Sequence, residues 1–203
     1  LDIVAGASDM HRVLGRLPEA LTATQVLRSP GRPVPPEILR PLIRAARETR
    51  RIEVDYVSLN APDREGRIIV PHTLVWTGQR WHLRGWCEKN QAYRDFVLSR
   101  FRGEPELLDI SDHTDREDTE WHTWVEIAIA PDPRLTPAQQ GVVAHDYGMM
   151  DNQWLLSVRA KLLPYYLKLL QIDPQDIKAD AKAQQLVILN PRDLDPWLFS
   201  GAV

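Results

Sequence analysis

The apolar positions of the first fifty residues recur at helical spacing. They predict a helical segment over residues 9–28, broken by Pro18. A proline-rich linker follows at 29–36, a composition that is unsuited to the interior of a helix. A second helix is predicted over 36–50, which either starts or kinks at Pro41. The early segment does not hold two helices joined by a tight turn, and so no helix-turn-helix is predicted there.

From residue 51 the apolar pattern changes to a period of two, which indicates β-strands. Short turns separate the strands, so sequential strands are expected to be neighbours. Four or five short antiparallel strands after a helix predict a small barrel. The predicted strands cover residues 52–58, 67–76, 80–86 and 93–101.

An acidic and polar stretch at 109–120 predicts an exposed linker and a domain boundary. Beyond it, strands and helices alternate, which indicates a small α+β domain. The fold class is therefore α+β, with a helical segment and linker at 1–39, a β-barrel domain at 40–108 and a C-terminal domain at 121–203. The predicted C-terminal elements are a strand at 124–129, a helix opened by a capping box at Thr136–Gln139, a strand at 154–160, a helix at 162–170, a short helix after Asp173-Pro174 and a strand at 186–189.

Composition narrows the class of protein. Of 203 residues, 43% are hydrophobic and 26% are charged, as in ordinary globular proteins. No apolar run approaches the length of a membrane span, and no signal peptide is visible, so a cytoplasmic protein without membrane contact is expected. Cys87 is the single cysteine and has no partner for a disulfide, which fits a reducing compartment. The chain begins with Leu1, which suggests a piece of a longer protein.

Charge is distributed unevenly along the chain. Residues 40–102 hold 13 basic and 7 acidic side chains, net +6, whereas residues 103–203 hold 8 basic and 17 acidic ones, net −9. Twelve of the 13 basic residues are arginines, whose planar guanidinium matches phosphate in a bidentate manner. The basic segment therefore suggests an anionic partner. A solvated basic face paired with the acidic half of the chain explains the pattern equally well.

The segments Arg80–Cys87 and Tyr93–Phe101 resemble the WYL domain. The run that names the family appears here as Trp81-His82-Leu83, with a central histidine that departs from the name. This variant, together with the preceding run at 69–75, resembles the WYL regulators linked to phage-defence loci. Residues 121–190 are similar in layout to the WCX extension of such proteins. The resemblance implies an Sm-like barrel that binds a nucleotide or a nucleic-acid ligand, a homodimer, and an N-terminal winged helix-turn-helix that binds operator DNA and is missing from this chain.

The predicted strand at 80–86 places Arg80, His82 and Arg84 on one face, with Trp86. If Trp81 and the residues that share its face fill the core, the cationic row faces outward, where it suits bases and phosphates. A solvated edge of the barrel is the alternative.

The resemblance adds further candidate ligand contacts. Arg94 and Arg100 match the family pattern as phosphate contacts, although an ion pair with Glu53 or Asp55 would also account for them. His72 matches a position in the family's pocket. Tyr56 and Ser58 share a strand face and offer hydroxyl donors, and for Tyr56 packing is an equally good explanation.

The sequence thus predicts the ligand-sensing and dimerising region of a WYL-type transcriptional regulator, most simply a repressor. A protein-interaction module that binds no ligand is the alternative. No catalytic arrangement, cofactor motif or metal-ligand spacing is recognised; the acidic residues and histidines at 112–122 lack such spacing.

Overall fold

The computed structural model describes residues 32–60, 62–174, 178 and 180–198. The helical segment predicted at 9–28, and with it most of the N-terminal domain assigned to 1–39, lies outside the described residues. Residues from Val34 onward belong to one compact unit. Within the described residues, no helix is long and apolar enough to cross a membrane.

Helix α1 spans Pro36–Glu48. It begins with proline at its first position, where the missing N–H is not needed, and it continues through Pro41 rather than starting there. Its inward positions Ile38, Leu42 and Ala45 are buried. Thr49 adopts a left-handed conformation (φ 50°) that ends the helix and turns the chain into the first strand.

Five antiparallel strands form the first sheet, in the order β4-β3-β2-β1-β5. All four strands that the sequence predicts in this region are present, although their bounds differ. The strands are β1 (Arg50–Tyr56), β2 (Glu65–Trp76), β3 (Trp81–Cys87), β4 (Ala92–Val97) and β5 (Phe101–Ile110).

The predicted closed Sm-like barrel is not confirmed, because the described strands form an open sheet with edges at β4 and β5. A 3-10 turn at Leu98–Arg100 divides the strand predicted at 93–101 and separates β4 from β5. Single hydrogen bonds join the end of β1 to the end of β4 and to this turn. The Val97 N–H donates to the Tyr56 hydroxyl (3.0 Å), and the Val57 N–H donates to the Arg100 carbonyl (3.2 Å).

The first core lies between α1 and one face of this sheet. Ile52, Ile69 and Leu83 are fully buried there, with Leu42 from the helix. Gly85 allows β2 and β3 to approach closely: a Cβ on this residue would lie 2.5 Å from the Val70 carbonyl oxygen.

The segment between the two sheets is not an exposed linker, which corrects the prediction for 109–120. β5 runs to Ile110, a 3-10 turn follows at Asp115–Glu117, and a short helix α2 spans Thr119–His122. Asp118 and Trp121 are buried, because the segment folds back onto the first sheet. Sequence polarity suggested exposure, but here the polar groups have partners.

The C-terminal part is a three-stranded antiparallel sheet, order β7-β6-β8, with helices on one face. The predicted capping box at Thr136 and Gln139 is present. The last helix, α5, was not predicted, since Pro191 and Pro196 hide its periodicity. The short helix predicted after Pro174 falls largely on residues that are not described. The elements are β6 (Trp124–Pro131), α3 (Pro137–Asp146), β7 (Trp154–Arg159), a 3-10 turn (Ala160–Leu162), α4 (Leu163–Leu169), β8 (Leu186–Ile188) and α5 (Pro191–Leu198).

Candidate functional site

The cationic row of β3 points away from the α1 core, as the strand alternation predicts, but it does not face solvent. Arg84 is fully buried and is surrounded by carboxylates. Its Nη2 donates to Asp118 Oδ1 (2.7 Å) and to Glu120 Oε2 (3.2 Å), and its Nη1 donates to Asp95 Oδ1 (3.1 Å). The Arg84 side chain therefore fixes the 111–122 segment on the sheet, and its guanidinium is already occupied.

Asp118 is the central acceptor of this buried cluster. Burial favours the neutral carboxyl, but hydrogen bonds from His72 and Arg84 outweigh it and lower the pKa of Asp118 to about 2. The Asp118 side chain also accepts a hydrogen bond from the Trp121 N–H and so caps α2. The carboxylate is thus charged at neutral pH and satisfied on both oxygens.

His72 joins the same cluster from β2. The strand pairing shifts between Pro71 and Thr73, and the His72 imidazole lies 3.1 Å from Asp118 Oδ2 through Nε2 and 2.8 Å from Thr73 Oγ1 through Nδ1. Its ring contacts the edges of Tyr93 and Trp121. The His72 imidazole, predicted to contact a ligand, is therefore engaged by side chains of the protein itself.

A second polar chain links β3 to the C-terminal helices. Arg80 Nε donates to His82 Nε2 (3.2 Å), the Tyr165 hydroxyl lies 3.1 Å from His82 Nδ1, and the same hydroxyl donates to Asp95 Oδ2 (3.2 Å). Since Nε2 accepts from a guanidinium, the proton of the imidazole belongs on Nδ1, facing Tyr165. This series of hydrogen bonds joins the first sheet to α4.

His82 is held neutral by its surroundings. Burial lowers the pKa of His82 to about 4; Asp95 opposes this shift, whereas Arg80 and Arg100 add to it. Burial and the nearby Asp95 raise the pKa of Tyr165. Both side chains stay uncharged through the neutral pH range, so the contact between His82 and Tyr165 is a hydrogen bond between neutral groups.

The remaining predicted contacts are dispersed. Tyr56 is buried in the core, where its ring packs edge-on against Phe96 and Phe101, so the packing explanation accounts for it. Ser58 is half-buried just beyond the end of β1. Arg94 is exposed on β4 opposite Gly85, on the other face from His82.

Arg100 lies in the 3-10 turn and is half-buried. Within the described residues neither Arg94 nor Arg100 forms an ion pair, and Asp55 pairs with Arg64 instead, contrary to the alternative considered from the sequence.

Two cations that form no ion pair with a described carboxylate, Arg80 and Lys168, lie at one cleft. Arg80 and Lys168 line a small cleft of about 40 Å³ between the β2–β3 turn and α4, and Arg100 acts on the same His82 ring as Arg80. The cleft is bounded by Thr77, Gln79, Arg80, Tyr165, Lys168 and Leu169. The sequence identifies Arg80 and Arg100 as candidate contacts but not Lys168 and Tyr165, because α4 is remote in sequence from the basic strands.

A larger cavity of about 260 Å³ lies between the end of α1, the centre of β2 and the segment after β5. Its walls are mostly polar and include His72 and His113, but no arginine or lysine. The chemistry expected for phosphate binding is therefore absent from this cavity. Within the described residues, no cluster of three or more His, Cys, Asp or Glu side chains could hold a metal ion.

Comparison with known protein families assigns both halves of the described chain. Residues 37–103 match the WYL domain, and residues 124–194 match the BrxR transcriptional regulator C-terminal dimerization domain. The WYL resemblance noted in the sequence is confirmed. The C-terminal match is to the BrxR domain, and the expected WCX extension is not confirmed.

The curated relatives that the chain matches are described as DNA-binding transcriptional repressors. The chain is 32% identical over 183 residues to the DNA-binding transcriptional repressor CapW of Stenotrophomonas maltophilia, covering 87% of this chain and 59% of the relative. It is 36% identical over 160 residues to CapW of Pseudomonas aeruginosa (79% and 53%) and 32% identical over 158 residues to CapW of Escherichia coli (78% and 52%). The chain thus spans between half and three fifths of the length of these relatives.

Among solved structures, proteasome accessory factor B/C of Arthrobacter aurescens matches 84% of this chain and 28% of its own, at 20% identity and a TM-score of 0.37, a similarity too low to define the fold. The family matches and the curated relatives agree with each other. Residues 37–103 of this chain are a WYL domain, and residues 124–194 behind it are a C-terminal dimerization domain of the BrxR type.

Proposed function

We propose that this chain is the ligand-sensing and dimerising region of a transcriptional repressor. Its CapW relatives are described as DNA-binding transcriptional repressors, and the chain covers only part of their length. Operator DNA is then bound through a winged helix-turn-helix outside the described residues, and the chain itself acts as a regulator rather than an enzyme. The link to phage defence, suggested by the sequence, belongs to the same proposal.

The ligand is a nucleotide or a short single-stranded nucleic acid, bound by the basic groups of the WYL sheet. The observation that carries this proposal is the pair Arg80 and Lys168 at the cleft beside α4. Arg100 adds positive charge at His82, the residue that Arg80 contacts. Most other arginines of the basic segment already have acidic partners, as Arg51 and Arg84 do. A cation without such a partner retains its charge for a phosphate group.

The location of the cleft connects binding to regulation. One wall belongs to the β2–β3 turn of the WYL domain, and the other belongs to α4 of the dimerization domain. A phosphate between Arg80 and Lys168 changes how these two walls meet. A ligand that prefers one arrangement then shifts the homodimer between two geometries, since a ligand moves an equilibrium only by its difference in affinity for the two states.

The proposal is tested by titrating fluorescently labelled short oligonucleotides and a labelled nucleotide into the purified chain at two salt concentrations. Binding should weaken with salt. The variant Arg80→Ala/Arg100→Ala should lose at least about 10-fold in affinity and flatten the salt dependence, since each lost phosphate contact removes about 0.7 from the slope for a single strand.

The matched control is Arg40→Ala/Arg47→Ala, which removes two exposed arginines of α1 and the same net charge. It should bind as the parent chain does. Equal losses in both variants would show only a general charge effect, and no binding at low salt would contradict the proposal and favour an interaction module without a ligand.

A further inference from the structure

The three-stranded sheet of the dimerization domain has one covered face and one open face. Ile127, Ile129 and Val158 point to the covered face and are buried against the helices. Side chains alternate along a strand, so the intervening positions form the opposite face. In an antiparallel sheet, such an outer face is normally polar when it meets water.

Here the outer face is mostly apolar. Trp124 on β6, Leu155 on β7 and Leu189 after β8 are 57%, 54% and 53% exposed. The strand pairing aligns Ala128 with Leu155, and the Leu189 N–H donates to the Ala128 carbonyl, so Ala128 lies between the two leucines. Ala130 and Val187 extend the same surface as a second aligned pair. We define these six residues as the open face.

We propose that the open face is the surface through which two copies of this chain dimerise. The inference rests on the homodimer of the proposed function and specifies its interface. Three large apolar side chains, each more than half exposed and aligned across neighbouring strands, form a surface that an isolated chain leaves uncovered. The family match to a dimerization domain covers residues 124–194, which include all three strands of this sheet.

The few charges on this side fit a second copy better than an unrelated partner. Glu126 and Arg159 flank Trp124 on the outer side of β6 and β7. The Arg159 guanidinium lies over the Trp121 and Trp124 rings, 4.6 and 4.8 Å from their centroids, and Glu126 forms no ion pair with a described residue. A two-fold axis brings the same patch of both copies together, so an acid and a base on one patch complement themselves.

An exposed apolar residue of this domain lies on a different surface. Val142, 61% exposed, is on α3, which packs on the covered side of the sheet. It provides a matched control because it has similar exposure and apolar character but lies on a different surface.

The experiment measures mass by light scattering coupled to size exclusion, and the dissociation constant by sedimentation, for the parent chain, Leu155→Glu, Leu189→Glu and Val142→Glu. Circular dichroism establishes that each variant is folded, and Leu155→Ser replaces Leu155→Glu if the charged variant is not. We expect the open-face variants to weaken dimerisation by at least about 100-fold, since charged groups at the centre of an interface are strongly unfavourable. Val142→Glu should remain a dimer.

Two other outcomes are distinguishable. A dimer that persists in folded Leu155→Glu and Leu189→Glu would overturn this interface and leave the dimeric regulator intact; dissociation of Val142→Glu alone would move the interface to α3. A parent chain that is monomeric at every concentration would instead contradict the homodimer of the proposed function, and the interface with it.

Discussion

The outer faces of the two sheets differ in polarity and in whether the chain itself covers them. The outer face of the WYL sheet is polar and is covered by the chain's own 111–122 segment, which Arg84 and Asp118 fix in place. The outer face of the C-terminal sheet is mostly apolar and is left uncovered by the described residues, with Leu155 and Trp124 exposed. Buried charges thus close a contact within the chain, whereas exposed apolar groups mark a contact that the chain cannot complete alone.

The largest expected effect comes from breaking the covered face. Asp118→Ala leaves the Arg84 guanidinium buried with an incomplete set of carboxylates, which should lower the free energy of unfolding by about 3–5 kcal/mol. Chemical denaturation measures this loss. Asp112→Ala is the control, an exposed aspartate of the same segment whose removal should change stability by less than about 0.5 kcal/mol. Equal effects of the two substitutions would contradict the role given to Asp118.

A smaller effect should appear as a pH dependence. The pKa of His82 is about 4 in the folded chain, compared with 6.5 for an exposed histidine, so the unfolded state binds the proton first. Stability is therefore complete above pH 6.5 and decreases as the pH falls toward 4, by about 1–3 kcal/mol. In His82→Gln this decrease should disappear, as measured by urea denaturation between pH 7 and 4.5.

Asp118 titrates in a separate window. Its pKa is lowered from 3.8 to about 2, so its contribution is present above pH 3.8 and is lost only as the pH falls toward 2. If His82→Gln retains the full loss between pH 6.5 and 4, another group is responsible.

The smallest expected effect distinguishes the two faces of the C-terminal sheet. Leu155 and Leu156 are neighbours on β7 that point to opposite faces, and Leu156 packs against the core. Leu156→Ala should cost about 2 kcal/mol at any protein concentration. Leu155→Ala should cost less than about 1 kcal/mol in dilute solution, and its cost should grow with concentration as the dimer forms. Thermal unfolding across a hundredfold range of concentration measures the difference.

Periodicity alone predicted most of the architecture. The alternation on β3 correctly separated Leu83 and Trp81 from Arg80, His82 and Arg84, because strand geometry fixes which side chains share a face. The WYL assignment rested on the same run of residues and is confirmed. The division of the chain into β-rich and mixed halves also followed from the change of period.

What lies opposite a face could not be predicted from its own residues. The charge of Arg84 suggested solvent or phosphate, and only the folded chain shows that Asp118, more than thirty positions later, returns to pair with it. The prediction of an exposed linker at 109–120 is wrong for the same reason, since polarity predicts exposure only where no partner is supplied. The 3-10 turn that divides the strand ending at Phe101 carries no periodic signal, because it lasts a single turn.

The hydrogen bonds that link Arg80, His82, Tyr165 and Asp95 affect how the two parts of the protein can move. Apolar contacts allow neighbouring bodies to slide, because their energy depends weakly on direction, whereas hydrogen bonds through two ring nitrogens and one hydroxyl lose strength when their angles change. These hydrogen bonds therefore favour one orientation of α4 relative to the WYL sheet. A movement of Arg80 is therefore passed to α4 through these bonds.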